Sequence, residues 1–353
     1  LRTDFLFFAG ACLSANTKNL IKQKERLKMK KMLALILAGI LAAVTLTGCM
    51  SGEAAEGEKV YRIGIAQPVD HPSLNEIRDS IEAELVELGL EDKVELSFHN
   101  ANGDMNMLQS IMQNLVGEDI DMIVPIATPT AQAAKAATAD IPIVFSAVSN
   151  PVEAGLVEKL SETNGNITGV SDTIPVEDIM KLSHVLTPEV KTYGLIYNSS
   201  EINSVTGIEK AKAYCEENGL DYREGTITST SELHQVVSSL VGEVDAFFTP
   251  DDNMVATAMP TYVKLATDAG IPIYVGADSL VKDGGLATVG IDYTLLGRQT
   301  GRMIARIMEG EAIGENPVEQ IAEYSNMINM DTAEALNIEV TEDIENDFVL
   351  IYK

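Results

Sequence analysis

One stretch of this chain occurs twice, and that repetition limits the possible folds more than any other feature. Residues 118–150 read EDIDMIVPIATPTAQAAKAATADIPIVFSAVSN and are followed by Pro151; residues 243–279 read EVDAFFTPDDNMVATAMPTYVKLATDAGIPIYVGADS. Each copy has an apolar run, a Thr-Pro pair (Thr128-Pro129, Thr249-Pro250), a helical pattern, a stop of small residues, and a second apolar run opened by Ile-Pro-Ile. Proline after a threonine cap suits the first turn of a helix, where its missing N–H would have no partner anyway. The apolar runs do not alternate, which predicts strands covered on both faces, as in a parallel sheet flanked by helices. Strands expected at 62–66 and 193–197 lie about 130 positions apart, as do Ile141-Pro142-Ile143 and Ile271-Pro272-Ile273. A similar offset across several elements marks a duplicated unit.

Around the two copies, short apolar runs alternate with helical patterns of ten or more residues, the mark of a doubly wound parallel sheet. A length of 353 residues is enough for two domains of ordinary size. The expected fold is therefore α/β: two similar doubly wound parallel-sheet lobes joined by a multi-strand hinge. Lobe 1 is expected to take 60–170 plus about 291–320, and lobe 2 to take 171–290 plus about 321–353. The chain should cross between lobes near 170–173, near 290–293 and once closer to the C-terminus, and the function should lie between the lobes.

The chain before residue 60 reads as processing signals. Residues 1–28 are basic without pattern and are expected to be a mis-assigned upstream segment, with the true start at Met29 or Met32. Residues 29–48 have the order of an export signal: Lys30 and Lys31, then the apolar run LALILAGILAAVTL, then small residues. Leu46-Thr47-Gly48-Cys49 resembles the bacterial lipobox, which implies cleavage before Cys49 and diacylglycerol on its sulfur. Residues 49–59 (CMSGEAAEGEK) then form an acidic tether. Cys12 lies in the upstream segment and Cys215 stands alone in a helical pattern, so no disulfide is expected; Cys215 reads as a half-buried small hydrophobe.

A formal net charge of −28 argues against nucleic acid and anionic lipid headgroups as partners and favours solubility. No G-x-S-x-G elbow, Walker phosphate loop or G-x-G-x-x-G follows a strand, and the four histidines (His71, His99, His184, His234) lack metal-ligand spacing. No enzyme activity, metal or cofactor is expected. In open parallel sheets ligands sit beyond the carboxyl ends of the strands. Those loops lack Lys and Arg and have few aromatics; their hydroxyls, amides and acids suit a small zwitterion. Thr128-Pro129-Thr130 opens a helix with no acid of its own, a seat for a carboxylate. Asp251 and Asp252 follow Thr249-Pro250 and either hold an ammonium or complement their own helix dipole.

The segments IATPTAQAAKAATADIPIVFSAVSNPVEAGLV, NITGVSD, GLIYNSSEINS and IPIYVGADS, behind a lipobox, resemble the substrate-binding lipoproteins of bacterial ABC importers. The nearest group in that family binds aromatic amino acids such as tryptophan, tyrosine or phenylalanine. The resemblance covers roughly 60–340 and implies a type I periplasmic-binding fold whose lobes close on the ligand. It implies an extracytoplasmic, lipid-anchored monomer that captures an amino acid and docks to ABC permease subunits. Position by position, it points to Thr128, Thr130, Ser146 and Asn150 in lobe 1, and to Asn198, Ser199, Asn203, Asp252 and Asp278 in lobe 2. Gln67 and His71 on the first loop would border the side-chain pocket. Asn150 stands where the family often has Asp. A neutral sugar-like or nucleoside-like ligand, or a sensing domain serving a membrane receptor, is the alternative expectation.

Overall fold

The apolar runs become the central strands of two sheets in a computed structural model that describes residues 59–352, apart from Asn164 and Ala322. The upstream segment 1–28, the signal 29–48, Cys49 and nearly all of the tether lie outside the described residues. The described chain runs β1 (Tyr61–Gln67), α1 (Pro72–Glu87), β2 (Val94–Asn100), α2 (Met105–Gly117), β3 (Met122–Pro125), α3 (Thr128–Ala137), β4 (Ile143–Ser146) and β5 (Ile167–Ser171). There follow α4 (Val176–Leu186), β6 (Thr192–Asn198), α5 (Ile202–Asn218), β7 (Asp221–Ile227), α6 (Leu233–Leu240), β8 (Ala246–Thr249), α7 (Asn253–Thr257), α8 (Met259–Asp268), β9 (Ile273–Val275), α9 (Asp278–Lys282) and β10 (Ala287–Ile291). The last part contains α10 (Tyr293–Met308), β11 (Glu319–Gln320), β12 (Tyr324–Asn329), α11 (Met330–Ala335), α12 (Glu342–Glu345) and β13 (Val349–Ile351).

The first sheet has the order β11-β5-β4-β3-β1-β2, parallel throughout, and the second the order β13-β12-β10-β9-β8-β6-β7. Strands β3, β4 and β5 are buried along their whole length, which explains their unbroken apolar sequence. The strand over 167–171 stays in the first sheet beside β4. One pair departs from parallel: β12 runs antiparallel to β10, with Ile291 opposite Tyr324. The reason is topological. β10 ends where the chain leaves for the other lobe, and β12 begins where it returns, so the second must run back along the first.

The chain crosses between sheets three times: between β5 and α4, between β10 and α10, and between β11 and β12. Helix α10 is flanked in sequence by strands of the second sheet, yet it lies against α1 of the first. Its own residues explain this. A side chain at Gly297 would meet the Ile77 carbonyl at 2.6 Å, and one at Gly301 the Glu84 Cβ at 2.8 Å, so these glycines allow the close approach of two helices. Arg298 and Arg302 then clasp the buried Glu84 at 2.9 and 3.0 Å. Cys215 is fully buried, where half-burial was expected, and burial pushes its thiol up to about 11.

Candidate functional site

The two copies of the repeated stretch diverge at one point, and the divergence shapes the region between the sheets. In the first copy the helix starts at once: α3 begins at Thr128, with Pro129 in its first turn. The second copy inserts Pro250, Asp251 and Asp252 between β8 and α7, so its helix starts later and breaks again at Ala258. Asp252 caps α7: its Oδ1 accepts from the N–H groups of Met254 (3.0 Å) and Val255 (2.8 Å). Its Oδ2 accepts from the Asn198 N–H at 2.6 Å, tying α7 to the end of β6. Asp252 also lines the cavity, but both its oxygens already accept from backbone donors, so in this structure it serves first as a helix cap.

Asp251 is placed differently. The loop carrying it is seated on two glycines: a Cβ at Gly276 would meet the Asp251 nitrogen at 2.7 Å, and one at Gly207 the Pro250 Cβ at 2.8 Å. So held, Asp251 faces the space between the sheets with Oδ1 lacking a partner among the described residues. Its Oδ2 lies against Ser149 Oγ, and the same hydroxyl donates to Asp172 Oδ1 at 3.1 Å. A hydroxyl has one proton to donate, so a bond to the second carboxylate requires that carboxylate to be protonated. Burial, opposed only weakly by hydrogen bonds, pushes Asp172 up to about 6. Burial and then the charge of Asp172 hold Asp251 well above the usual carboxylate range. Among the described residues, no Lys or Arg stands within ion-pairing distance of either. Asp172 lies at the first crossing and Tyr293, whose ring lines the same cavity, at the second.

Six buried side-chain atoms have no hydrogen-bond partner among the described residues: His71 Nδ1, Thr128 Oγ1, Thr130 Oγ1, Asn203 Oδ1, Asp251 Oδ1 and Asp278 Oδ1. His71, Thr128, Asn203 and Asp251 line one narrow cavity between the sheets; Thr130 follows Thr128 on α3, and Asp278 sits between the lining residues Ala277 and Leu280. Leaving a buried polar atom unpartnered costs about 1–3 kcal/mol, and native structures contain few of them. Six around one cavity mark a place built for a partner. Two are hydroxyls at the start of a ten-residue helix and the others face as acceptors. Asn203 shows why its oxygen faces inward: its Nδ2 donates to the Asp251 carbonyl at 2.9 Å. Asp278 already holds a cation, Lys282 Nζ at 2.7 Å on its other oxygen.

Backbone strain gathers at the same place. Ala127 and Ala147, at the ends of β3 and β4, have φ of +73° and +56° and both line the cavity. Such conformations cost of order 1–3 kcal/mol for a residue with a Cβ and cluster at ligand sites.

Other candidates are placed away from this cavity or are engaged by protein partners. Gln67 donates to the Val69 carbonyl and to Asn75 Oδ1, both at 3.0 Å, steadying its own loop. Ser146 bonds Thr300 at 2.8 Å inside lobe 1, joining β4 to α10. Asn150 Oδ1 accepts from the Glu153 N–H at 3.2 Å, shaping a turn whose Glu153 takes a hydrogen bond from Thr206 of the other lobe. Ser199 is exposed. Asn198 is buried, but its oxygen accepts from the Ser200 N–H and its nitrogen donates to Glu201 Oε1, each at 2.9 Å. The sequence alone does not single out Asp172, Ser149 or Glu201, and it offers Asn253 and Tyr293 only as neighbours of the acids and as one of few loop aromatics. The first lies in NITGVSD and Asn253 directly follows the two acids, so adjacency to quoted motifs was the available signal.

Comparison with known proteins adds to this geometry. The profile of the family described as ABC transporter substrate binding protein matches residues 62–347. A tyrosine-binding protein of Clostridioides difficile (strain R20291) is 38% identical over 324 residues, covering 89% of this chain and 94% of that protein. Among solved structures, an ABC domain in complex with L-Trp from Streptococcus pneumoniae is 37% identical and superposes with a TM-score of 0.81, covering 83% of this chain and 100% of that one. A ligand-free, open substrate-binding protein with adhesive properties from Clostridium difficile is also 37% identical, covering 83% of this chain and 99% of its own, and superposes with a TM-score of 0.64. At similar identity and coverage, the chain thus superposes better on the L-Trp complex than on the open protein. With a family profile spanning nearly all of the described residues, the chain belongs to the ABC transporter substrate-binding proteins.

Proposed function

We propose that this protein captures a free amino acid with an aromatic or hydrophobic side chain in the cleft between its lobes and delivers it to the permease of an ABC importer. The supporting observation is the set of unpartnered buried atoms around one cavity, with donors on lobe 1 and uncompensated acids opposite. Thr128 and Thr130, with the N-terminal end of α3 behind them, take the α-carboxylate; a helix start favours an anion by its free N–H groups and its dipole. Asp251, Asn203 Oδ1 and Asp172 take the α-ammonium, whose three N–H donors match three acceptors. Leu74, Ala256 and Leu280 supply apolar wall for the side chain. The names of the relatives, a tyrosine-binding protein and an L-Trp complex, support this ligand class.

The carboxylate seat and the acids belong to different parts of the molecule, so neither lobe alone satisfies a zwitterion. Ligand therefore favours the closed arrangement by its differential contacts. The mature protein acts outside the cytoplasm as a monomer held to the membrane through lipid on Cys49, with lobe 1 from 60–170 plus about 291–320 and lobe 2 from the remainder. The deciding experiment is mass spectrometry of whatever co-purifies with residues 50–353, followed by calorimetry with the free amino acids. Recovery of a sugar or nucleoside, with no amino acid bound, would overturn this reading.

A further inference from the structure

A chain of hydrogen bonds running in from lobe 2 determines what His71 presents to the cavity. At its far end, Asn198 is oriented by the Ser200 N–H on its oxygen, so its Nδ2 must face Glu201 Oε1. Glu201 is buried, and its other oxygen meets the side-chain amide of Asn253 at 2.5 Å. Burial, and then the charge of Asp252, push Glu201 up to about 7; above that pH it is a carboxylate and only accepts, so the Asn253 atom facing it is the NH2 group and the amide oxygen turns the other way. That oxygen lies 3.4 Å from His71 Nε2, across from lobe 2 to lobe 1. Facing an acceptor, Nε2 carries the ring's proton. Burial pushes the imidazole down to about 4, so the ring is neutral and has one N–H. Nδ1 is then a bare acceptor. It is buried, has no partner among the described residues, and belongs to a side chain lining the cavity.

We infer that His71 reads the ligand's side chain: its Nδ1 accepts a hydrogen bond from a ring donor, so the cleft selects aromatic amino acids carrying a phenol O–H or an indole N–H over phenylalanine. This rests on the amino-acid reading of the cleft and narrows it. The ammonium does not need His71, because the acids without a cation are Asp251 and Asp172, which release protons when it binds, whereas Asp278 already pairs with Lys282. His71 shares the cavity wall with Leu74, Ala256 and Leu280, the apolar residues assigned above to the ligand's side chain. Phenylalanine leaves Nδ1 dry and unpartnered, and a site built around a substrate's donor rejects the analogue lacking it. Asn253 and Glu201 are positioning residues that set the tautomer without touching the ligand's ring.

The test is calorimetric titration of ligand-stripped protein with L-tyrosine, L-tryptophan and L-phenylalanine. Wild type is expected to bind at least one of the first two tenfold or more tighter than phenylalanine. His71→Leu should bring that ratio to within about threefold, chiefly by weakening the preferred ligand. Glu201→Gln frees Asn253 to turn over and should also lower the ratio. Nitrogen-15 shifts of His71 should show protonated Nε2 and bare Nδ1, with Nδ1 responding to tyrosine or tryptophan and not to phenylalanine. Phenylalanine binding as tightly as both others, a ratio unchanged in His71→Leu, or an Nδ1–H tautomer would each overturn the inference while leaving amino-acid capture standing. Failure of all three amino acids to bind would instead remove the reading on which it rests.

Discussion

Asp251 and Asp252 are adjacent acids of the same charge, and the structure gives them opposite duties, which a pair of isosteric substitutions separates. Asp251→Asn keeps the shape of the loop and its seat on Gly207 and Gly276 but removes negative charge at the unpartnered oxygen facing the cavity. In a closed, dry cleft, taking away one partner of a buried charge pair costs on the order of 2–5 kcal/mol. Asp172 shares the site through Ser149 and supplies part of the lost charge, so the lower end applies, a loss of roughly thirtyfold in affinity. Thermal stability without ligand should hold or rise, since the amide removes one of two ionisable groups crowded into a buried site with no cation. Asp252→Asn acts through folding. One of its two positions must become an NH2 group facing the N–H of Asn198 or those of Met254 and Val255, donor against donor. A buried clash of that kind costs about 1–3 kcal/mol, which lowers the melting temperature by a few degrees in a domain of this size. Calorimetry and thermal unfolding on both variants decide it. Asp252→Asn losing affinity at unchanged stability, with Asp251→Asn binding normally, would refute the assignment.

Affinity should also fall in acid. Asp172 is raised to about 6 and Asp251 is raised as well, so below about pH 6 the empty site holds protons that an ammonium must displace, at up to about tenfold in affinity per pH unit. By the same sign, neutral acids favour the ligand-free closed fold at low pH, and that contribution is lost as pH rises through about 6, where ligand stabilises most; titration at pH 5 and 7.5 checks both, and Asp172→Asn should flatten the profile. Gly276→Ala puts a methyl 2.7 Å from the Asp251 nitrogen, so it should weaken binding about tenfold by displacing that loop; unchanged affinity would show the loop is not held there. Ala127→Gly relieves a strained positive φ and should raise the melting temperature by a few degrees with affinity nearly unchanged; a lower melting temperature would count against strain at that position. Cys49→Ala should move the protein from the membrane fraction to the soluble fraction or leave it unprocessed, and an unaltered membrane fraction would sink the lipid-anchor proposal.

Strand and helix positions were readable because they rest on local chemistry. The uninterrupted runs Met122–Pro125 and Ile143–Ser146 read as strands covered on both faces, and Thr128-Pro129 as the opening of a helix, whereas the matching Thr249-Pro250 ends a strand and leaves its helix to start at Asn253. The repeat made the two-lobed α/β plan readable too, since a second copy with the same order of elements implies a second sheet. The seating of α10 on α1 through Gly297 and Gly301 was not readable, because it depends on which helix comes to face them. The cleft was less legible. Asp251 and Asp252 are equivalent in sequence, and each has the residue type for a cap and for a ligand contact. What separates them is the contact of Pro250 and Asp251 with Gly207 and Gly276, residues tens of positions away on α5 and beyond β9. Asp172 acquires its character only when two chain crossings bring it beside Asp251 with Ser149 between. The tautomer of His71 depends on Asn198, Glu201 and Asn253, all from the other lobe. Local propensity and periodicity are carried by neighbours in the chain, so the sequence determined the elements and their layering. Protonation, orientation and the direction of a hydrogen bond depend on which distant groups share a dry space, and only the tertiary structure decided those.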